Sequence, residues 1–280
     1  MSVENGKLYI CATPIGNLED ITLRALRILN EADYIAAEDT RHTRKLLSHY
    51  DIHTRLTSYH EHNEAAKAGK LVAMMESGAT VALVSDAGMP GISDPGHKLI
   101  KRCIDEGIVV EAVPGASSLI TALVISGLPT DSFVFQGFMP RKKGERATLL
   151  AELTGQERTV ILFESPRRVK ATLEEIAVFD ADRQVVVARE LTKKFEQVLR
   201  GTTGEVLELL DATGIRGEVV LLIGPAKEKR PRIWAADDLR SAVVKLMNEG
   251  TPKKQAILEV AKDLGVGKRT VYESVKDIHT

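Results

Sequence analysis

The stretch Val81-Ala-Leu-Val-Ser-Asp-Ala-Gly-Met-Pro-Gly-Ile-Ser-Asp-Pro-Gly96 constrains this chain more than any other. A short apolar run bounded by turn residues reads as a strand buried on both faces. The run ends near a carboxylate, Asp86, and then enters a loop holding three glycines and two prolines. Gly88 and Gly91 permit positive φ or close backbone approach, whereas Pro90 and Pro95 stiffen the path. In open α/β sheets ligands bind outside the carboxyl ends of the strands, and this loop occupies such a position.

Strand and helix signals alternate around it. An apolar run at 8–12 leads into a loop with Pro14 and Gly16, after which Asp20 is expected to cap a helix. The apolar face of that helix is Ile21, Leu23, Leu26, Ile28 and Leu29. Strands are predicted over 34–37, 56–58, 81–85 and 109–113, with helices over 41–50, 63–77 and 96–106. Pro114-Gly-Ala-Ser-Ser118 opens a further helix. The alternation predicts an α/β unit with a largely parallel sheet. Its loops at 13–20, 38–41, 86–95 and 114–118 should therefore gather at one sheet edge.

Gly127-Leu-Pro-Thr-Asp131 reads as a boundary. Beyond it come strand candidates at 133–138, 159–163, 184–188, 195–200 and 218–223, with helices between several of them. Their parallel or antiparallel sense is open, although the close spacing across 191–194 predicts one hairpin. A charged linker at 224–232 precedes helices over 236–248, 252–263 and 268–276. The glycine turn before Lys268 and Arg269 gives the last two the spacing of a helix-turn-helix. The expected division is 1–128 and 129–225, two α/β domains with a cleft between them, and 226–280, a small helical module.

At 280 residues the chain is long enough to build more than one sizeable core. Its net charge is −1, unevenly spread: residues from Ala226 onward hold twelve Lys/Arg against eight Asp/Glu. A basic tail on a mildly acidic body hints at an anionic partner. Cys11 and Cys103 lack metal-like spacing and read as structural thiols in a reducing compartment. The opening residues lack a signal-peptide pattern, and no apolar run reaches the roughly 20 residues that span a bilayer. A cytoplasmic protein without membrane partners is expected. Neither a dinucleotide fingerprint nor a Walker-type phosphate loop is present, which disfavours an ATP-driven enzyme.

Several motifs together resemble the tetrapyrrole methylase superfamily and, within it, the branch acting on ribosomal RNA. They are residues 8–26 (Leu-Tyr-Ile-Cys-Ala-Thr-Pro-Ile-Gly-Asn onward), Ala37-Glu-Asp-Thr-Arg, 85–96 and Val113-Pro-Gly-Ala-Ser-Ser. Phe135-Gln-Gly-Phe-Met-Pro-Arg-Lys, Phe163-Glu-Ser-Pro-Arg-Arg and Ala188-Arg-Glu-Leu-Thr-Lys-Lys-Phe-Glu continue the match, which covers 7–225. The resemblance implies a class III S-adenosylmethionine methyltransferase, a homodimer, with the cofactor in the cleft. It implies a substrate in 16S ribosomal RNA or the small ribosomal subunit: the ribose 2′-hydroxyl of a cytidine in the decoding region. By motif, the cofactor contacts are Pro14, Ile15, Asp86, Ala87, Gly88, Met89, Ser117 and Ser118, with Phe163, Ala188 and Leu222 from the second half.

Methyl transfer from a sulfonium needs alignment and exclusion of water, and no metal. A ribose hydroxyl is a poor nucleophile, so a base is sought at the cleft. Glu38, Asp39, Asp94, Glu190 and Lys193 are the candidates, and the residues alone do not choose among them. Asp39 and Asp94 equally suit helix capping, and Glu38, Glu190 and Lys193 suit ion pairing. For RNA, the candidate cations are Arg41, Arg44, Arg141, Lys142, Lys143, Arg146, Arg167, Arg168, Lys193, Lys194, Lys268 and Arg269. Those on 139–146 sit on a loop expected to act as a flap. The histidines between His53 and His62 match no metal-site spacing. Two rival readings stand beside this one: methylation of a corrin or porphyrin precursor, and a regulator built on the helix-turn-helix.

Overall fold

The computed structural model describes residues 6–226, 236–264 and 266–278. The chain forms two compact units, Met1–Ala226 and Lys227–Thr280. Most of the charged linker expected at 224–232 lies outside the described residues.

The first half of the larger unit runs β1 (Lys7–Cys11), α1 (Leu23–Glu31), β2 (Tyr34–Ala37), α2 (Thr40–His49) and β3 (Arg55–Ser58). It continues α3 (Glu64–Glu76), β4 (Val81–Val84), α4 (His97–Asp105), β5 (Val109–Val113) and α5 (Ser118–Ser126). The strands form one wholly parallel sheet in the order β3-β2-β4-β1-β5. All four residues of β4 are buried, as a strand covered on both faces requires. Period-2 alternation divides the core. Leu8, Ile10, Val81 and Leu83 meet Leu71, Met75, Leu99 and Cys103 on one face. Cys11, Ala82 and Val84 meet Ala25, Leu29 and Leu47 on the other. Burial pushes the Cys11 and Cys103 thiols up to about 12 and about 11, which keeps both inert.

One local expectation is corrected. Asp20 does not cap α1; it closes a short 3-10 turn, Leu18–Asp20, which Asn17 caps. Thr22 caps α1, its hydroxyl accepting from the Ala25 N–H at 3.0 Å.

The second half runs β6 (Phe133–Phe138), α6 (Lys143–Thr154), β7 (Thr159–Glu164), α7 (Val169–Phe179) and β8 (Gln184–Arg189). It ends with β9 (Gln197–Thr202), α8 (Thr203–Thr213) and β10 (Val219–Ile223). Its sheet has the order β6-β7-β10-β8-β9 and is mixed. Only β6 and β7 are parallel; β10 inserts antiparallel between β7 and β8, and β8–β9 is the expected hairpin. One face of this sheet carries Val160, Leu162, Val185, Val187 and Leu221, packed against Leu150, Leu173 and Val206 of the three helices. The opposite face, with Ile161, Val186, Ala188, Val220 and Leu222, packs on Ile15, Ala122 and Leu123 of the first half. That shared apolar layer joins the two sheets within one unit.

The smaller unit contains α9 (Ala236–Asn248), α10 (Lys253–Asp263) and α11 (Lys268–Ser274) around Leu239, Val243, Ile257, Val260 and Val271. Among the described residues, no helix is long and apolar enough to cross a membrane.

Candidate functional site

Because every strand of the first sheet is parallel, the loops after β1, β2, β4 and β5 emerge at the same edge. Two of them are laced together. Thr13 and Gly88 exchange backbone hydrogen bonds in an isolated antiparallel bridge, and the Thr13 hydroxyl donates to the Ser85 carbonyl. Gly88 and Gly91 take φ of 78° and 83°, the conformations the sequence anticipates. Loop 13–20 also meets the second half. A Cβ on Gly16 would lie 2.5 Å from Lys193 Cγ and 2.7 Å from the Leu191 carbonyl oxygen. Only glycine lets the turn after β8 rest there.

Between these loops and the second sheet lies a cavity of about 1180 Å³. Ile15, Asp86, Ala87, Gly88, Met89, Ser117 and Ser118 line it from the first half, and Phe163 from the second. Three other cofactor candidates stand elsewhere. Pro14 is outside the lining, while Ala188 and Leu222 are fully buried in the apolar layer beneath it. Both sit on the sheet face that points toward the first half. Ala188 is in register with the lining residue Val220, whereas Leu222 lies two residues further along β10, opposite Ile161 and Val186, because that strand starts at the cavity and runs away from it.

The five base candidates separate by position. Glu38 and Asp94 line the cavity beside Asp86. Burial raises the Glu38 carboxyl above its ordinary value, and the nearby Asp94 and Asp86 charges add to this, while a hydrogen bond from the Asp86 amide opposes it. Burial also raises Asp94, with a smaller push from Asp86 and an opposing hydrogen bond from Ser85. Asp39 caps α2 by accepting from the Arg41 N–H at 2.8 Å and binds the Arg41 guanidinium, which together hold its carboxyl below the usual range. Asp94 is no cap: α4 begins after Gly96, without a side-chain cap. Glu190 and Lys193 pair with each other at 3.0 Å, and Lys193 also reaches Glu218 at 3.1 Å. Neither lines the cavity.

The cations divide too. Arg141 and Arg167 are exposed and line the cavity. Arg168 lines it as well, but its guanidinium is engaged inward. It pairs with the fully buried Glu164 carboxylate at 2.6 Å and donates to the Met139 and Pro140 carbonyls. Lys142 pairs with Glu145, while Arg146 is buried against Glu175. Lys143 and Arg44 are exposed away from the lining, and Lys194 lies over the Phe195 ring. Lys268 and Arg269 are exposed at the start of α11 in the smaller unit.

The cavity has walls that motif reading passed over. Leu119 follows the serines on α5; Phe138 ends β6, and Met139 and Pro140 follow it; Leu191, Gly217 and Glu218 come from the turns beside β8 and β10. The glycine within the apolar run Phe-Val-Phe-Gln-Gly-Phe was the available signal at β6, since glycine inside a strand often marks a bulge. Among the described residues, no group of three or more His, Cys, Asp or Glu side chains is placed to hold a metal ion.

The sequence profile of the tetrapyrrole (corrin/porphyrin) methylases matches residues 7–207. The chain belongs to this family. It is 47% identical over 272 residues to ribosomal RNA small subunit methyltransferase I of Halalkalibacterium halodurans, covering 96% of this chain and 94% of that one. It is 45% identical to the protein of the same name from Streptococcus pyogenes, covering 98% and 96%. Among solved structures it shares the fold of a Thermus thermophilus uroporphyrin-III C-methyltransferase complexed with S-adenosylhomocysteine. That likeness has a TM-score of 0.55 and 20% identity, covering 78% of this chain and 97% of that one. The two α/β regions expected from the motifs are thus a feature of the family fold, with the cavity lying between them.

Proposed function

We propose that the cavity binds S-adenosylmethionine and that the protein methylates the RNA of the small ribosomal subunit. The finer reading is transfer to the ribose 2′-hydroxyl of a decoding-region cytidine, by a cytoplasmic homodimer. The observation carrying it is the near-full-length kinship with the two ribosomal RNA methyltransferases, on a chain whose cavity has an acidic wall and a cationic rim.

The lining suits the cofactor. Ile15, Met89, Leu119 and Phe163 give apolar surface for a purine and a thioether chain. Asp86 spends one carboxylate oxygen on the Asp39 N–H at 3.1 Å, and no described residue bonds the other. That oxygen is an acceptor for an amino or hydroxyl group. The first turn of α5 has no side-chain cap, so its amides and the Ser117 and Ser118 hydroxyls are donors for a carboxylate. The volume exceeds the usual small-molecule range, leaving room for a nucleotide beside the cofactor.

When bound, the cofactor supplies an electrophilic methyl group on a positively charged sulfur. The protein's task is alignment, exclusion of water and handling of one proton. Glu38 and Asp94 are the carboxylates facing the cavity. Because burial makes them stronger bases than ordinary carboxylates, they are the groups suited to take the hydroxyl proton. Arg141 and Arg167 draw phosphates to the mouth.

The test is incubation with labelled S-adenosylmethionine and small subunits from cells lacking the modification, followed by mapping of the label. Label on a cytidine ribose is expected. Label on a base removes the 2′-hydroxyl reading, and transfer to a tetrapyrrole in place of RNA removes the substrate class.

A further inference from the structure

We propose that Phe138 is a stacking platform for an unpaired nucleobase of the RNA at the cavity mouth, a reading that rests on the RNA substrate proposed above. The backbone of β6 is arranged to present this ring. Phe135 lies opposite Ile161 on β7, yet the next paired residues are Phe138 and Phe163. β6 thus spends three residues where β7 spends two, with the irregularity at Gln136-Gly137. Gly137 has φ of 73°, in the left-handed region where a side chain is strained.

Strict alternation from Phe135 would set Gly137 opposite Phe163 and turn Phe138 to the other face. The bulge returns Phe138 to the face of Phe135. Three rings then form a row. Phe163 lies 5.0 Å from Phe135 and 5.3 Å from Phe138 between centroids, at 68° and 59°. Phe135 packs on the apolar layer, Phe163 is half-buried, and Phe138 is 61% exposed. The inner rings brace the outer one, leaving most of its surface open.

The neighbours fit an RNA strand. Arg141 and Arg167 share the cavity lining with the ring and are exposed for phosphates. The bulge lies against the acidic loop of the first half: a Cβ on Gly137 would be 3.7 Å from Ser93 Oγ, next to Asp94. Proteins that read single-stranded or splayed-out nucleotides combine these parts, an exposed aromatic face with cations beside it.

The experiment compares Phe138→Ala, Phe138→Leu, Phe138→Trp and Phe138→Tyr in the full chain, using small subunits lacking the modification. Calorimetry measures S-adenosylmethionine affinity in parallel. Ala and Leu should lower kcat/KM for subunits by roughly tenfold to a hundredfold, the worth of one base–aromatic stack, while Trp and Tyr restore it. Cofactor affinity should be unchanged in all four. Full activity of the Leu variant overturns the proposal, because an apolar surface would then suffice. Loss of cofactor affinity in step with activity also overturns it, by assigning the ring to the cofactor. A wild-type chain that labels no RNA removes the substrate reading itself, whereas an active wild type with an equally active Ala variant removes only the stacking role.

Discussion

Thr13 and Gly88 donate their backbone N–H groups to each other's carbonyls at 2.9 and 3.0 Å, fastening the loop after β1 to the loop after β4. The cavity-lining residues Ile15 and Asp86–Met89 therefore sit on one braced surface. Little ordering remains to be done when a ligand arrives, and that preorganisation favours tight binding.

Asp86 links this surface to α2. Asp86→Ala removes the acceptor for the Asp39 amide, at a cost of about 1–3 kcal/mol, and also removes the open carboxylate oxygen. Cofactor affinity should fall at least about tenfold, the loss of one charge-assisted hydrogen bond. Asp86→Asn keeps an acceptor and should retain more of the stability. Calorimetry and thermal unfolding read the two effects separately; unchanged affinity in the Ala variant contradicts the assigned role.

Glu38 and Asp94 should make stability fall as pH rises. Burial, and after it the neighbouring carboxylates, raise both groups above their ordinary values. Between those ordinary values, about 4, and the raised ones, the folded chain holds more protons than the unfolded chain. Stability is therefore lost as pH climbs through that window. Glu38→Gln should melt above the parent at neutral pH, and the difference should close as pH falls below about 4. Melting curves across a pH series check the sign. If Glu38 or Asp94 takes the substrate proton, the matching Gln or Asn variant loses kcat while keeping cofactor affinity.

Arg168 should act through position. It covers a Glu164 carboxylate whose side chain is wholly buried and ties down the carbonyls of Met139 and Pro140. Breaking a buried pair typically costs about 3–5 kcal/mol. Thr172 and the Ser165 amide still donate to Glu164, so Arg168→Ala belongs near the lower end, about 3 kcal/mol by urea denaturation. Its KM for subunits should rise as the Arg141 segment loosens. Lysine should rescue poorly, since a point charge cannot reproduce the guanidinium fork.

A chain ending at Ala226 should fold, because among the described residues its apolar clusters draw none beyond Ile223. Cofactor affinity should persist while subunit affinity drops. The slope of log affinity against log salt should become shallower by about one for each phosphate that is no longer neutralised. Equal loss of both affinities would count against this division of labour.

Much of this was legible because local chemistry dictated it. β2 (Tyr34–Ala37) and β5 (Val109–Val113) stand where the apolar runs place them. The choice of Thr22 over Asp20 as cap escaped because both residue types cap well and only the starting turn decides. The antiparallel entry of β10 between β7 and β8 depends on distant partners, which a wholly buried Val-Val-Leu-Leu-Ile run does not name. Ala188 and Leu222 miss the lining for different reasons: the pleat packs Ala188 into the apolar layer, whereas the antiparallel sense of β10 brings its starting residues, Val219 and Val220, to the cavity and carries Leu222 away from it. Arg146 reads as part of a basic run, yet α6 turns it inward to Glu175. Phe138 was hidden by the bulge, which shifts the alternation by one residue.

The seat of the Leu191–Lys193 turn on Gly16 also sets an order of events in synthesis. The first sheet can be complete while residues of the second do not yet exist, leaving loop 13–20 open to solvent on the side that the turn will cover. A ligand that needs both walls adds its binding free energy only to the finished form. If the cofactor occupies the cavity as proposed, it stabilises chains whose two halves have met and passes over those still waiting.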